Sequence, residues 1–212
     1  STTANTLTLK ATGNITQSSA TTITTNGGDV IFWSDADANS SGAIALGDNA
    51  TINTANGVTA SGLTGGGAII LAGGADNGSD GLPDGFASNA TGNGIKLGTT
   101  SANTTSLYSG GGEIIIRGYS NHNSATNPDE IGIWQIESWT ANSGNGAITI
   151  TGNSENFYGV NFVNTTSAST TGPKLLSLSS NKTTGTAISI NGNSNASHGV
   201  VFNYDNPKEI LA

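Results

Sequence analysis

A five-residue pattern returns five times along this chain, each time after a glycine-rich or polar corner, and it limits the fold more than any other feature. A small or acidic residue is followed by apolar, any residue, apolar, and then a further residue, most often small or polar. The copies are Asp29–Trp33, Ala68–Ala72, Glu113–Arg117, Ala147–Thr151 and Ala187–Asn191. Their first apolar positions fall at 30, 69, 114, 148 and 188, and a weaker forerunner, Leu7-Thr8-Leu9, begins 23 residues before Val30. Self-similarity on this scale marks units that cannot bury a face alone and must stack. The alternation inside each copy has period two, so the stacked element is a strand.

A second apolar pair follows each copy: Ile44 and Leu46, Ile95 and Leu97, Ile131 and Ile133, Val160 and Phe162, Val200 and Phe202. Weaker third strands fit Thr51-Ile52, Ser106-Leu107-Tyr108, Leu175 to Leu178 and Ile210-Leu211. Three short strands joined by corners describe a coil. Stacked coils make equivalent strands parallel neighbours about 4.8 Å apart. The sequence therefore predicts an all-β chain folded as a parallel β-helix, or β-solenoid, of about six coils. Residues 1–212 read as a single β-helix repeat segment, part of a longer chain. The long insertions Trp33–Gly42, Gly73–Gly94 and Gly118–Glu130 leave the corner after the first strand, so they should line one side.

Composition agrees with strands and turns. Gly, Ser, Thr and Asn together number 112 of 212 residues, whereas strong helix formers are scarce. There is no cysteine, which removes disulfides, thiolate chemistry and cysteine-held metals. A net charge of -8 repels phosphate backbones and anionic lipid, so neither nucleic acid nor a membrane surface is an expected partner, and no apolar run approaches the roughly 18 residues of a span, so direct membrane insertion is not expected. The runs Gly65–Gly67 and Gly110–Gly112 lack the Lys-Ser/Thr and the helix that a phosphate loop requires, and they belong to the corners.

Candidate sites concentrate in the insertions. Asp76-Asn77-Gly78-Ser79-Asp80-Gly81-Leu82-Pro83-Asp84 carries carboxylates at near-alternate positions with a glycine to fold the backbone back, which suits a hard, oxygen-seeking cation. The expected cofactor is calcium, held by Asp76, Asp80 and Asp84. This stretch looks like a thrombospondin type 3 calcium repeat with Gly78 standing where that pattern has its second Asp. Asp35, Asp37 and Asn39 are a poorer match. Catalytic chemistry finds little material: Glu113 and Arg117 share one strand face, and His122 and His198 lack triad or metal-ligand spacing. The chain is therefore read as not an enzyme. Trp33, Trp134, Trp139, Tyr119, Tyr158 and Tyr204 sit beside strands where alternation turns many side chains outward, offering contact to a glycan or a partner. Ile31, Ile70 and Ile115 form an apolar stripe on the outer face, which must be covered by the long insertions or used for association.

Asn26-Gly-Gly-Asp-Val-Ile-Phe32, Gly65-Gly-Gly-Ala-Ile-Ile-Leu-Ala-Gly-Gly74, Gly13-Asn-Ile-Thr-Gln17 and Ala147-Ile-Thr-Ile-Thr-Gly-Asn153 resemble the passenger regions of large bacterial secreted adhesins of the filamentous-haemagglutinin and autotransporter kind. The likeness runs over nearly the whole chain and is one of style. It implies a right-handed β-helix and a secreted or cell-surface location. It also implies a role in adhesion or matrix building, with host or neighbouring-cell surfaces, glycans or further copies of the chain as partners. Asn127-Pro128 and Asn206-Pro207 only echo that family's Asn-Pro secretion motif. A carbohydrate- or receptor-binding module and a polysaccharide-cleaving enzyme are the alternatives on the same fold.

Overall fold

The computed structural model describes residues 4–59, 62–99, 104–122, 130–163, 173–177, 187–203 and 209–211. Tyr204, Leu178, Asn127-Pro128 and Asn206-Pro207 lie outside the described residues. Six coils follow one another in chain order. The first holds β1 (Leu7–Lys10), β2 (Ile15–Gln17) and β3 (Thr22–Thr24). The second holds β4 (Val30–Ser34), β5 (Ile44–Leu46) and β6 (Thr51–Asn53), followed by a hairpin, β7 (Gly57–Thr59) and β8 (Gly62–Thr64). The third contains β9 (Ile69–Gly73), the short β10 (Ala87–Asn89), β11 (Ile95–Leu97) and β12 (Thr104–Tyr108). The fourth contains β13 (Ile114–Ser120), β14 (Ile133–Ile136) and β15 (Ser138–Gly144). The fifth and sixth are β16 (Ile148–Ser154), β17 (Val160–Val163) and β18 (Lys174–Ser177), then β19 (Ile188–Ser194), β20 (Val200–Asn203) and β21 (Glu209–Leu211).

Equivalent strands pair in parallel and give three sheets, in the orders β1-β4-β9-β13-β16-β19, β2-β5-β11-β14-β17-β20 and β3-β6-β12-β15-β18-β21. This is the parallel β-solenoid that the repeat spacing predicts. Backbone bonds run coil to coil: Val30 N donates to Ala68 O at 2.9 Å, Ile69 N to Glu113 O at 2.8 Å, and Ile114 N to Ala147 O at 2.8 Å. Leu7, Val30, Ile69, Ile114, Ile148 and Ile188 stand in one register, with Leu9, Phe32, Leu71, Ile116, Ile150 and Ile190 two places on. All but the end-coil members of both ladders belong to one buried core cluster with Ile44, Ile95, Val160 and Leu175.

Two placements differ from the sequence reading. The second strand of the fourth coil starts at Ile133, which pairs with Ile95 and Val160, so Ile131 precedes the strand. The residue that fixes the register is Gly132. A Cβ there would meet Asn153 N and Gly159 O at 2.6 Å, so glycine is needed for the corner to pass its neighbour. Trp139, expected beside a strand facing out, lies in the core. Ala141 pairs with the inward Leu107 and Leu175, and alternation then sends Trp139 inward as well. It stacks on Phe162 at 5.9 Å, and Phe162 on Phe202 at 4.7 Å. The volume that Ala141 omits from its ladder is supplied by this indole.

Candidate functional site

The side built by the insertions begins with the apolar stripe. Ile31 and Ile70 point away from the core, yet they are 4% and 6% exposed. They form a second, smaller apolar cluster with Trp33 and Ala72, against which Ala36, Leu82, Ala68 and Ile115 pack. Ala36 comes from the first long insertion and Leu82 from the second, so both insertions fold back over the stripe. Ile115, next to the coil whose outer residue is Thr149, is half-buried.

Polar contacts fasten this cover. Arg117 Nη1 donates to Pro83 O at 3.1 Å and to Asp84 O at 3.2 Å. Trp33 is 3% exposed, with its indole Nε1 donating to Gly74 O at 2.7 Å and the Lys10 ammonium 3.4 Å from its ring centroid. In the longest insertion, β10 adds to the end of β13 in parallel, Ser88 opposite Tyr119. Any partner meeting Ile31, Ile70 or Trp33 must first displace the chain's own insertions.

The three acids of the expected calcium loop are engaged with its backbone. Asp84 Oδ2 accepts from Asn77 N at 2.7 Å and Gly78 N at 2.8 Å, while Asp76 accepts from Asp80 N and Gly81 N. Asp80 Oδ1 accepts from Leu82 N at 3.0 Å. Among the described residues no group of three or more His, Cys, Asp or Glu side chains converges as a metal site. Asp80 and Asp84 nonetheless approach one another at Gly78, where an added Cβ would stand 3.8 Å from Asp80 Oδ2 and 3.6 Å from Asp84 Oδ2. Asp35 likewise uses both carboxylate oxygens on its own loop, accepting from Ser40 N and Ser41 N at 3.2 Å.

Beyond the stripe, the ends of β13, β16 and β19 carry a polar ladder that sequence reasoning missed. Glu155 accepts from the Tyr119 hydroxyl one coil before and from Asn195 Nδ2 one coil after, the latter at 2.6 Å. Burial, then the hydrogen bond to Glu155 and its charge, push the Tyr119 hydroxyl up to about 12. Thus Tyr119, expected at a ligand or partner contact, ties two coils together and packs edge-on to Phe86. The His122 ring nitrogen meets the fully buried Glu130 carboxylate. A signal for this corner was present in Gly152-Asn153-Ser154 and Gly192-Asn193-Ser194. Ser154 Oγ donates to Glu130 O at 2.7 Å and accepts from Phe157 N at 2.9 Å. Ser194 Oγ donates to Phe157 O and accepts from Ser197 N at 2.9 Å. No helix among the described residues is long and apolar enough to cross a membrane. Comparison with protein-family models, with curated proteins and with solved structures gave no match.

Proposed function

We propose that this chain is a non-catalytic repeat segment of a secreted bacterial surface adhesin or extracellular fibre, serving adhesion or matrix building. The observation that carries the reading is the unbroken stack: six three-strand coils in register, with hydrogen bonds running coil to coil. Such a stack transmits load along hydrogen bonds and adds length coil by coil. The resemblance of the glycine-flanked repeats to adhesin passenger regions supports the same reading. So does the spending of the insertion-side acids on loop backbone and its one arginine on carbonyls, with the larger outer aliphatic side chains under cover.

The test is display of residues 1–212 on the surface of a non-adherent bacterium, with attachment to epithelial cells, to extracellular matrix and between cells counted. Increased attachment in at least one assay, relative to cells displaying an unrelated β-helix, is expected. Background counts in all three overturn the proposal.

A further inference from the structure

Six asparagines of this chain precede a glycine: Asn26, Asn56, Asn77, Asn93, Asn145 and Asn191. Asparagine is a thermolabile residue. It is least protected before glycine, whose missing Cβ leaves the next amide nitrogen open to the asparagine side-chain carbon. In five of the six the fold ties the glycine into backbone pairing. Gly27 N donates to Thr54 O at 2.7 Å, Gly94 N to Ile131 O at 3.2 Å and Gly146 N to Ser143 O at 3.0 Å. Gly57 lies inside β7 and Gly192 inside β19.

Asn77 differs in what receives the glycine's hydrogen. The Gly78 amide donates to a carboxylate, Asp84 Oδ2 at 2.8 Å, which can take up a proton as a backbone carbonyl cannot. That carboxylate is held in place from two sides. Asn77 N donates to the same oxygen at 2.7 Å, and Arg117 Nη1 fastens the Asp84 carbonyl at 3.2 Å. Asn77 and Gly78 are both exposed, and among the described residues the Asn77 carboxamide makes no hydrogen bond that ring closure would have to break. Nucleophile, leaving group and proton acceptor thus stand in one short loop, where the reaction between them is intramolecular.

We propose that Asn77 is a site of spontaneous deamidation, with Asp84 as the general base. Asp84 Oδ2 accepts the Gly78 amide proton as that nitrogen bonds to Asn77 Cγ. The Cγ–Nδ2 bond breaks, the proton passes to Nδ2, and ammonia leaves a succinimide ring. Water then adds at Cγ, giving aspartate, or at the Asn77 backbone carbonyl carbon, giving iso-aspartate. Closure strips the hydrogen from Gly78 N, so Asp84 loses one of its two amide donors. Hydrolysis leaves a further carboxylate beside Asp76, Asp80 and Asp84, and the loop loosens as the protein ages. The site needs only this loop and does not depend on the fibre reading.

The experiment incubates the 212-residue protein in heavy-oxygen water at neutral pH and follows all six steps by peptide mapping with mass spectrometry. Asn77 should convert first, to a mixture of aspartate and iso-aspartate that carries the heavy oxygen. Asp84→Gln keeps an acceptor oxygen without the basicity and should slow conversion by about tenfold, short of the roughly hundredfold or more of a general base in an enclosed site. A melting curve matching that of the natural chain establishes that the variant folds. The natural chain in urea supplies a comparison that needs no variant: with the loop unfolded, Asn77 should lose its lead and the six rates draw together. Conversion at another step ahead of Asn77, or a lead undiminished in urea, overturns the proposal. So does an Asp84→Gln rate equal to or above that of the natural chain, which would make Asp84 a tether rather than a base.

Discussion

Ile148 and Ile188 occupy the same ladder one coil apart, and the stacking account predicts that truncating them has unequal cost. Ile148 is fully buried between the registers of Ile114 and Ile188, whereas Ile188, in the last coil, is only half-buried. Isoleucine to alanine removes three carbons, about 2.4 kcal/mol at roughly 0.8 per buried methylene. With coils on both sides unable to collapse into the gap, a cavity term brings Ile148→Ala to about 3–4 kcal/mol. Ile188→Ala loses about half the transfer term and little cavity energy, so about 1–1.5 kcal/mol. For a chain of this length each kcal/mol moves the thermal midpoint by about 2–4 °C, giving a drop of roughly 10 °C against one of roughly 4 °C. Melting followed by circular dichroism measures the difference. Amide exchange in Ile148→Ala adds the location, since a linear stack opens from its ends and the weakened end should exchange faster in β16 and β19 than β4 does at the other. Thr149→Ala, on the outer face between the two inward positions, is the control and should cost less than about 0.5 kcal/mol. Equal costs at Ile148 and Ile188, or a Thr149 cost matching Ile148, would refute the stacking account.

Two other predictions concern the insertion side. Gly78→Asp places a third carboxylate where Asp80 and Asp84 already approach one another, so it should lower the melting temperature in chelator and raise the calcium-dependent gain above that of the natural chain; equal calcium responses would show that Gly78 is not the missing ligand position. The Tyr119 hydroxyl, raised from an ordinary value of 10.0 to about 12, holds its proton more tightly folded than unfolded. Its contribution is therefore complete below pH 10 and is lost as pH rises through about 12. Melting temperature should fall across that window in the natural chain and fall less in Tyr119→Phe, and parallel curves would count against the Tyr119–Glu155 link.

How much of this was legible in the sequence follows from how each strand is built. First strands carry two aliphatic residues around one outward position, and their spacing alone placed all six coils. Second strands were found by the same rule except at Ile131, where the glycine that precedes Ile95, Val160 and Val200 marks Ile133 instead. Third strands were weakest, and β15 was missed because Ser138–Gly144 has Ala141 as its one aliphatic residue and relies on Trp139 for bulk. The β7–β8 hairpin, which leaves the corner after the third strand rather than the first, gave no signal through alternation. The acids of the long insertion were legible as a loop motif. Their use as acceptors for their own backbone depends on loop geometry that spacing does not encode. The Tyr119–Glu155–Asn195 ladder was hidden for another reason: its members are 36 and 40 residues apart and become neighbours only when coils stack.

The outer row of the first sheet shows how composition and insertion length constrain each other. In the second and third coils the outward residue is Ile31 or Ile70, and insertions supply Ala36 and Leu82 to cover it. In the fifth and sixth it is Thr149 or Ser189, each half-buried beside the short connections Gly152–Gly159 and Gly192–Gly199. Leaving three adjacent isoleucines in water would create a patch prone to association, and burying Thr149 or Ser189 under an insertion would demand a hydrogen-bond partner. A change of outer residue therefore has to travel with a change of insertion. Ile115 sits at the boundary, half-buried, beside Thr149. The polar outer row is thus the part of this sheet that is built to stay solvated, and the apolar part is built to carry loops.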